Sequence, residues 1–385
     1  MVTTRRLGVS AALVDGALLP GDVEVDGDRV TRVGLPPSTG GRIAAPGFVD
    51  LQVNGFAGVD VMAADEDGIR EISCALAAHG VTAWLPTLIT ASEAETGRAL
   101  DVLGRTLARH DDSADHGARP LGVHLEGPFL SAARLGTHPP QHRRDPDAAL
   151  LARWRTQAPV VAVTLAPELP GATGLVGSLS ADGVLVSLGH SDATAEQAHA
   201  AFDAGARTVT HLFNAMSPLH HRDPGLPGAA LARPDVVVQL VVDGHHLADD
   251  AVRVAWAAAR GRVVLVTDAT AASARADGTY ALAGVPVEVR GGAVRNDQGA
   301  LAGSALTLDA GVRNACALGI DLVEALVAAT ETPARLLGRE DLAGLHPGAR
   351  ADIVVLDDRL VVQEVLVGGR PVDRSPAPRE EGGAA

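Results

Sequence analysis

The chain has 385 residues, of which 46% are hydrophobic, and it carries a net charge of −15 with a pI near 5.3. The acidic balance excludes a general binder of nucleic-acid backbones, which needs a basic surface. No apolar run approaches the roughly 18 residues of a membrane span, and no secretion signal is recognisable, so we expect a cytoplasmic protein without a membrane partner.

All 32 basic residues are arginine. The absence of lysine excludes a catalytic Schiff base, a P-loop and a metal bridge built on a carbamylated lysine. The two cysteines, Cys74 and Cys316, form neither a C-x-x-C motif nor a disulfide framework, and we expect both to be buried thiols.

In chain order, residues 1–45 predict short alternating strands separated by Gly and Asp turns, and residues 346–374 repeat that pattern. The two chain ends are therefore expected to form one small β-sandwich domain. Residues 46–345 alternate eight apolar runs with helical patterns, which predicts an α/β fold of the (β/α)8 TIM-barrel type. A hairpin insertion is expected near 277–299 and a disordered tail over 375–385. The eight predicted barrel strands are 48–54, 81–87, 121–126, 160–166, 184–190, 207–212, 236–243 and 262–268.

Four of these strands end on a side chain that binds or serves a metal. Glu126, His190 and His211 end the third, fifth and sixth strands, and Asp268 ends the eighth. Side chains at the carboxyl ends of barrel strands project into one site. One glutamate and two histidines supply three ligands and leave a position for a water whose pKa the metal lowers to about 7. The pattern predicts a metal-dependent hydrolase of amides.

Asp268 is placed to take a proton from the attacking water and later deliver it to the leaving amine. The alternative for Asp268 is a helix N-cap, which is common at strand-to-helix turns. His246, just after the seventh strand, is placed to polarise the scissile carbonyl group or hold the developing oxyanion. Spacing alone does not exclude the neighbouring His245 from that role.

Eight short segments carry a resemblance to a known family. In this order they resemble the N-acetylglucosamine-6-phosphate deacetylases of the amidohydrolase superfamily, over roughly residues 45–357, and the THLFNAM segment is highly specific. The segments are PGFVDLQVNG (46–55), HLEGPF (124–129), GTH (136–138), GHS (189–191), THLFNAM (210–216), DGHH (243–246), TDA (267–269) and LAGS (301–304).

The resemblance implies hydrolysis of the acetamide of N-acetylglucosamine 6-phosphate to glucosamine 6-phosphate and acetate, in amino-sugar catabolism. By position, the metal ligands match Glu126, His190 and His211, the acid/base matches Asp268, and the carbonyl-polarising histidine matches His246. The implied substrate contacts are Thr137, His138, Asn214, Ala215, Arg222, Asp243, Gly244, His245, His246, Leu301, Ala302 and Gly303.

The resemblance also implies a homodimer, because the arginine that matches Arg222 reaches the sugar phosphate in the neighbouring subunit. A guanidinium binds phosphate oxygens in a bidentate manner, which suits that role. Read without the family, the run from His220 to Arg222 fits a solvated loop equally well.

The first predicted strand departs from the wider superfamily. Its usual His-x-His pair is replaced here by Gln52 and Asn54, whose amides bind hard metals weakly. We therefore predict one divalent metal per subunit. A His2Glu set with an open position suits Zn2+, although Fe2+ or another divalent ion is possible.

Three alternatives stay open. The first is a deacetylase of a related phosphosugar such as N-acetylgalactosamine 6-phosphate, which differs only in the orientation of one hydroxyl. The second is another amidohydrolase such as a dihydroorotase or hydantoinase, against which the missing lysine and the Gln52–Asn54 pair argue. The third is a catalytically inactive barrel used as a scaffold, which the full set of polar strand ends disfavours.

Overall fold

The computed structural model describes residues 4–109 and 117–374, so the tail predicted over residues 375–385 lies outside the described residues. Its centre is a barrel of eight parallel strands, and each strand falls within or overlaps one predicted apolar run. Parallel strands buried on both faces are encoded by such runs. The barrel strands are Phe48–Val53, Val81–Ile89, Val123–Glu126, Val160–Leu165, Leu185–Leu188, Thr208–Val209, Val237–Leu240 and Val263–Leu265.

Each barrel strand pairs in parallel with the next one along the chain. In the second and third strands, Ile89 lies opposite Glu126, so their carboxyl ends are level. A parallel bridge between Val53 and Ala269 joins the end of the first strand to the segment after the eighth and closes the barrel. A further short strand, Arg119–Pro120, pairs with the second strand outside this order. The predicted (β/α)8 barrel is confirmed, and its strands end at one common rim.

Helices connect the strands and pack their apolar faces into the main hydrophobic core. Within the described ranges, no helix has both the length and the apolar character that a membrane span requires. The first helix leaves Cys74 exposed, so the buried position expected for this thiol is wrong. The helices are Glu66–Ala78, Glu93–Arg109, Ala148–Gln157, Ala172–Ala181, Ala195–Asp203, Gly225–Ala232, Asp249–Ala258, Leu308–Ala317, Leu322–Ala329 and Glu331–Leu336, with 3-10 turns at Pro140–His142 and Glu340–Leu342.

The connection between the fifth and sixth barrel strands shows how local sequence sets the geometry of the site. Thr194 accepts a hydrogen bond from the Gln197 N–H, and the Gln197 side chain accepts one from the Thr194 N–H, which forms a capping box. After the helix Ala195–Asp203, Gly205 takes a φ of +123°, a conformation that favours glycine. This compact connection brings the strand ends that carry His190 and His211 next to each other.

The two chain ends form a small β-sandwich, as predicted. Its two sheets enclose one apolar cluster, to which Val23 and Val25 contribute from one sheet and Ile353 and Val355 from the other. The larger sheet has the order Arg370–Pro371, Val362–Val367, Ile353–Leu356, Ile43–Pro46, Ala11–Val14 and Ala17–Pro20, and the smaller has the order Arg5–Arg6, Asp22–Asp26 and Arg29–Leu35. The exact domain limits, after residues 45 and 345, stay a prediction.

The insertion near 277–299 has three antiparallel strands, one more than the hairpin expected there. The strands are Gly278–Leu282, Val285–Arg290 and Ala293–Asn296. Their apolar residues form a separate cluster that includes Leu282 and, from the second barrel strand, Ile89. The insertion is therefore anchored at the rim of the barrel. A small hairpin of Gly55–Phe56 with Val59–Asp60 lies after the first strand.

Candidate metal and active site

Three side chains predicted as metal ligands converge at the carboxyl rim of the barrel. The Nε2 atoms of His190 and His211 lie 3.1 Å apart. The Oε1 atom of Glu126 lies 3.2 Å from His211 Nε2 and 3.4 Å from His190 Nε2. All three side chains are buried. Donor atoms around a tetrahedral zinc ion lie roughly 3.3 Å from one another, so this triangle has the size of a metal site.

The ring of His190 is oriented by the loop that follows the third strand. Its Nδ1–H donates to the main-chain carbonyl of Arg134 at 3.0 Å, which leaves the Nε2 lone pair directed at the triangle. Metal-binding histidines are commonly fixed in this way through their second nitrogen. His211 Nδ1 is buried and finds no hydrogen-bond partner among the described residues. His190 Nε2 is therefore suited to binding a cation, and His211 Nε2 lies in the same triangle.

His138 lies beside this triangle and, with Glu126 and His190, forms a second possible metal-binding group whose donor atoms lie within 4.8 Å. Its hydrogen bonds argue for a different role. The Thr90 N–H donates to His138 Nδ1 at 3.2 Å, so the neutral ring carries its proton on Nε2, which lies 3.7 Å from Glu126 Oε2. Burial lowers the pKa of His138 to about 4, so the ring stays neutral at pH 7. It acts as a donor rather than as a ligand.

The electrostatics of Glu126 favour a bound cation. Burial raises the pKa of its carboxyl, but the three histidine rings around it outweigh that effect and hold the pKa well below its ordinary value. Burial lowers the pKa of His211, but the neighbouring Glu126 carboxylate raises it by more. A buried carboxylate surrounded by imidazoles is a suitable site for a divalent ion such as zinc.

Asp268 is held beside Glu126 by two amides of the first barrel strand. Asn54 Nδ2 donates to Asp268 Oδ1 at 2.7 Å, and Gln52 Nε2 donates to the same oxygen at 3.1 Å and to Glu126 Oε1 at 2.8 Å. Burial and then repulsion from Glu126 raise the pKa of Asp268 to about 6, although His211 and the Asn54 hydrogen bond oppose the rise. The two amides thus orient both carboxylates.

Three of these residues have left-handed backbones, which non-glycine residues rarely adopt. The φ angles are +48° at His190, +32° at His211 and +51° at Asp268. Such conformations cost roughly 1–3 kcal/mol each and persist only where the surrounding structure enforces them. Their clustering marks this rim as a functional site.

His246 is fixed by the aspartate that precedes it by three residues. Its Nδ1–H donates to Asp243 Oδ2 at 2.7 Å, and Asp243 Oδ1 accepts the N–H groups of His245 and His246 at 2.8 Å each. Burial raises the pKa of Asp243, but the hydrogen bond from His246 outweighs it and the pKa lies below its ordinary value. His246 lines the cavity, whereas His245 is exposed and points toward Gly292 of the insertion. The geometry selects His246 of the two histidines.

The cavity above these residues has a volume of about 320 Å3, within the range of small-molecule sites. Seven predicted contacts line it, and the other five do not. The seven are Thr137, His138, Asn214, Ala215, His246, Leu301 and Gly303. Of the other five, Ala302 is buried behind the wall, Asp243 supports His246, and Gly244, His245 and Arg222 are exposed.

Several lining residues were not predicted from the sequence. They include Asn54, Ile89, Arg134, Gly136 and Leu282. Arg134 lies between two recognised segments and Gly136 is the first residue of the second, so proximity in sequence is a signal that points to them. Leu282 belongs to the insertion, and no local pattern indicates that it reaches the cavity.

Arg222 does not line the cavity. It is exposed on the loop after the sixth strand, where its Nη1 donates to His221 Nε2 at 2.8 Å. The same loop carries Leu219, whose exposed fraction of 51% is high for a large apolar residue. The loop therefore offers an apolar side chain and a guanidinium to the outside of the protomer.

The sequence and the fold also match known proteins. A family model described as "Amidohydrolase family" matches residues 43–372. The chain belongs to the amidohydrolase family. It is similar to an N-acetylgalactosamine-6-phosphate deacetylase of Escherichia coli O157:H7, with 40% identity over 333 residues that cover 86% of this chain and 87% of that protein. It is also 40% identical to a human N-acetylglucosamine-6-phosphate deacetylase over 356 residues, which cover 89% and 86% of the two chains.

Among solved structures, this member of the family is similar to a mutant of the Mycobacterium smegmatis N-acetyl-D-glucosamine-6-phosphate deacetylase in complex with N-acetyl-D-glucosamine-6-phosphate. That match has a TM-score of 0.89 and 36% identity, and it covers 96% of this chain and 99% of the other. The N-acetylglucosamine-6-phosphate deacetylase from Thermotoga maritima matches with a TM-score of 0.88 and 31% identity over 96% of this chain and all of the other.

Proposed function

We propose that the protein hydrolyses the acetamide of N-acetylglucosamine 6-phosphate, consuming one water and releasing glucosamine 6-phosphate and acetate. The observation that carries this proposal is the triangle of Glu126, His190 and His211 beside Asp268 on the wall of the cavity. The names of the relatives and of the M. smegmatis complex support the substrate. Because a phosphorylated sugar carries charge and does not cross a bilayer unaided, the proposal includes the cytoplasmic location.

Glu126, His190 and His211 would hold one divalent metal, for which we propose Zn2+ with Fe2+ as the alternative. A cation held there lowers the pKa of a bound water and so supplies a nucleophile near neutral pH. The first strand supports a single metal, because the amides of Gln52 and Asn54 stand in place of an imidazole pair and bind hard metals weakly.

Asp268 is proposed as the proton carrier. Both amide donors bind Oδ1, and within the described residues no donor reaches Oδ2, which is therefore available for proton transfer. The carboxylate takes a proton from the attacking water and delivers it to the nitrogen of the sugar as the carbon–nitrogen bond breaks.

His246 is proposed to polarise the scissile carbonyl group. Its Nδ1–H is already bound to Asp243, so Nε2 is the nitrogen left for the cavity, and the Asp243 carboxylate compensates a positive charge on the ring. When protonated, Nε2 donates to the oxygen on which negative charge develops. His138 offers a further N–H to the same cavity. The remaining lining residues among the predicted contacts are proposed to bind the sugar.

We further propose a homodimer in which Arg222 of the partner subunit binds the sugar phosphate. The position of Arg222 supports this arrangement, because it lies outside its own cavity on a loop that also exposes Leu219. A guanidinium is well suited to a phosphate because it donates two parallel hydrogen bonds. Such a dimer is isologous, so each subunit supplies one arginine to the other.

A second candidate substrate is N-acetylgalactosamine 6-phosphate. The relative from E. coli O157:H7 carries that name and matches this chain as well as the human N-acetylglucosamine enzyme does. The two sugars differ at one hydroxyl group, which a site distinguishes only through the hydrogen bonds it makes to that hydroxyl.

The test is the release of free amine from N-acetylglucosamine 6-phosphate, with N-acetylgalactosamine 6-phosphate and unphosphorylated N-acetylglucosamine in parallel. Each assay uses metal-replete protein and a chelated control. We expect fast, metal-dependent turnover of the glucosamine derivative. Preference for the galactosamine derivative favours the second candidate, and turnover of neither phosphosugar contradicts the proposal.

A further inference from the structure

The cavity offers little positive charge to a phosphate. Glu126 and Asp268 contribute two carboxylates to its wall, and the chain has no lysine. Of the described residues that line the cavity, Arg134 is the one arginine. Since Arg222 of the same protomer lies outside, Arg134 is the guanidinium that this subunit itself supplies.

Arg134 lies next to residues proposed to bind the sugar. A Cβ added at Gly136 would lie 3.5 Å from His190 Cε1 and 4.0 Å from Ala215 Cβ, which shows how closely the Arg134 loop packs on both. The Ser191 N–H donates to the carbonyl of Ala215 at 3.0 Å. The loops that follow the third, fifth and sixth strands therefore meet at this side of the cavity.

The guanidinium of Arg134 is held by an exchangeable partner. Its Nε and Nη2 both donate to Asp192 Oδ1, at 2.8 and 2.7 Å. The exposed fractions of the two side chains are 34% and 46%, and ion pairs this exposed contribute little free energy. The backbone of Arg134 is fixed separately, because its carbonyl accepts the Nδ1–H of His190. The side chain can therefore change partners without disturbing the metal ligand.

We propose that Arg134 is a phosphate-binding residue supplied by the subunit that holds the metal ligands, and that Asp192 occupies its guanidinium until a phosphosugar displaces the carboxylate. This inference rests on the proposed function and adds a specificity residue to it. The phosphate is then bound from two sides, by Arg134 and by Arg222 of the partner subunit. A dianion competes well for Arg134 because it carries more charge than Asp192 and presents three oxygens.

The first test compares Arg134→Gln with Arg155→Gln. Arg155 pairs with Asp182 at 2.6 Å with similar exposed fractions of 31% and 52%, but it lies away from the cavity. The readout is kcat/KM for N-acetylglucosamine 6-phosphate divided by that for unphosphorylated N-acetylglucosamine. We expect this ratio to fall about tenfold in Arg134→Gln, which loses charged hydrogen bonds to the phosphate, and to be preserved in Arg155→Gln. Metal content and melting temperature, measured on both variants, exclude misfolding as the cause.

Two further variants separate phosphate binding from a structural role of the ion pair. Asp192→Asn removes the competing carboxylate, so KM for the phosphosugar should fall. Arg134→Lys should restore part of the kcat/KM ratio that Arg134→Gln loses. If Arg134→Gln and Asp192→Asn raise KM equally for both sugars, the pair only supports the rim and the proposal is wrong.

Calorimetric binding of glucosamine 6-phosphate, with glucosamine as the control, distinguishes this inference from the proposed reaction. If the protein deacetylates no phosphosugar but binds glucosamine 6-phosphate through Arg134, the reaction is wrong and the role of Arg134 stands. If it deacetylates the phosphosugar and Arg134→Gln keeps the full ratio, the reaction stands and the role of Arg134 is overturned. If the protein neither deacetylates the phosphosugar nor binds glucosamine 6-phosphate, both are overturned.

Discussion

Asp268 is the residue on which the proposed chemistry depends most directly. Asparagine has nearly the same shape but cannot accept a proton, so Asp268→Asn should lose about 10²- to 10⁴-fold in kcat. Metal content should be retained, because the ligand triangle consists of other residues. Steady-state kinetics and elemental analysis of the same preparation check both parts.

The matched control for this variant is Asp250→Asn, at a carboxylate that is 96% exposed on a helix outside the cavity. It should keep the wild-type rate. Full activity in Asp268→Asn would remove Asp268 from the role of proton carrier.

The environment of Asp268 also predicts how it titrates. In the metal-free protein its pKa is raised to about 6 by burial and by repulsion from Glu126, while the hydrogen bond from Asn54 lowers it. Asn54→Ala removes that hydrogen bond, so the pKa should rise further. Carboxyl signals in 13C NMR across pH 4 to 8 measure both values, and Asp268→Asn assigns the signal. A midpoint near the ordinary aspartate value would contradict the burial argument.

At the scale of a strand, the first barrel strand buries a carboxyl group beneath the site. Asp50 is fully buried and accepts hydrogen bonds from the Thr267 hydroxyl at 2.6 Å and from the Thr267 and Gln52 N–H groups at 3.3 Å. Burial raises its pKa to about 7, although these hydrogen bonds oppose the rise. Asp50 thus orients Thr267, the residue before Asp268. Keeping the ionised Asp50 carboxylate buried costs free energy of folding, and that cost depends on pH.

This cost predicts a pH-dependent stability. A carboxyl whose pKa is higher in the folded state than in the unfolded state loses stabilising free energy as pH rises between the two values. The asparagine side chain introduced by Asp50→Asn does not titrate. The free energy of unfolding of this variant minus that of wild type should therefore increase between pH 5 and 8, by up to about 3 kcal/mol. Urea denaturation of both metal-free proteins measures it.

Any pH-independent effect of Asp50→Asn on hydrogen bonding cancels when the difference at pH 5 is subtracted from that at pH 8. A difference that stays constant with pH would show that Asp50 is ionised without penalty.

Most elements of the barrel could be predicted from the sequence, because buried parallel strands leave continuous apolar runs. Where the observed strand limits differ from the predicted ones, the backbone conformation explains the difference. The runs 184–190 and 207–212 give only the strands Leu185–Leu188 and Thr208–Val209, since the positive φ of His190 and His211 ends the extended conformation. The residues that carry the chemistry are thus the ones that shorten the strands.

The convergence of Glu126, His190 and His211 was predictable for the same reason, because parallel strand ends meet at one rim. The ion pair of Arg134 with Asp192 was not, because it joins two loops whose conformations are set by the packing of the whole rim. Ala302 shows the converse: it lies in a recognised motif, yet its side chain is buried and does not line the cavity.

At the scale of the whole molecule, the proposed dimer predicts complementation between two defective chains. A subunit with Arg222→Ala cannot give its neighbour the phosphate contact. A subunit with Asp268→Asn lacks the proton carrier of its own site. In a mixed dimer, the Arg222→Ala subunit keeps Asp268 and receives Arg222 of the partner subunit, which makes one complete site. If the two chains pair at random, half of the dimers are mixed, and each mixed dimer has one complete site. About a quarter of all sites should therefore show the wild-type KM.

Coexpression with two affinity tags and sequential purification isolates the mixed dimer for kinetic measurement. The control pairs Asp268→Asn with a chain that carries both substitutions, and it should stay inactive. If the mixed dimer is no more active than the two parents, Arg222 does not act across the subunit interface.

The pairing of Ile353–Leu356 with Ile43–Pro46 in the larger sheet of the small domain has a consequence for synthesis of the chain on the ribosome. At 5–20 residues per second, the partner of the earlier strand emerges roughly 15 to 60 s after it. During that interval one edge of Ile43–Pro46 has no strand to pair with, and exposed strand edges promote aggregation. The small domain is thus the last part of the molecule to be completed, and the nascent chain is most in need of chaperone protection while the barrel between its two halves is still being made.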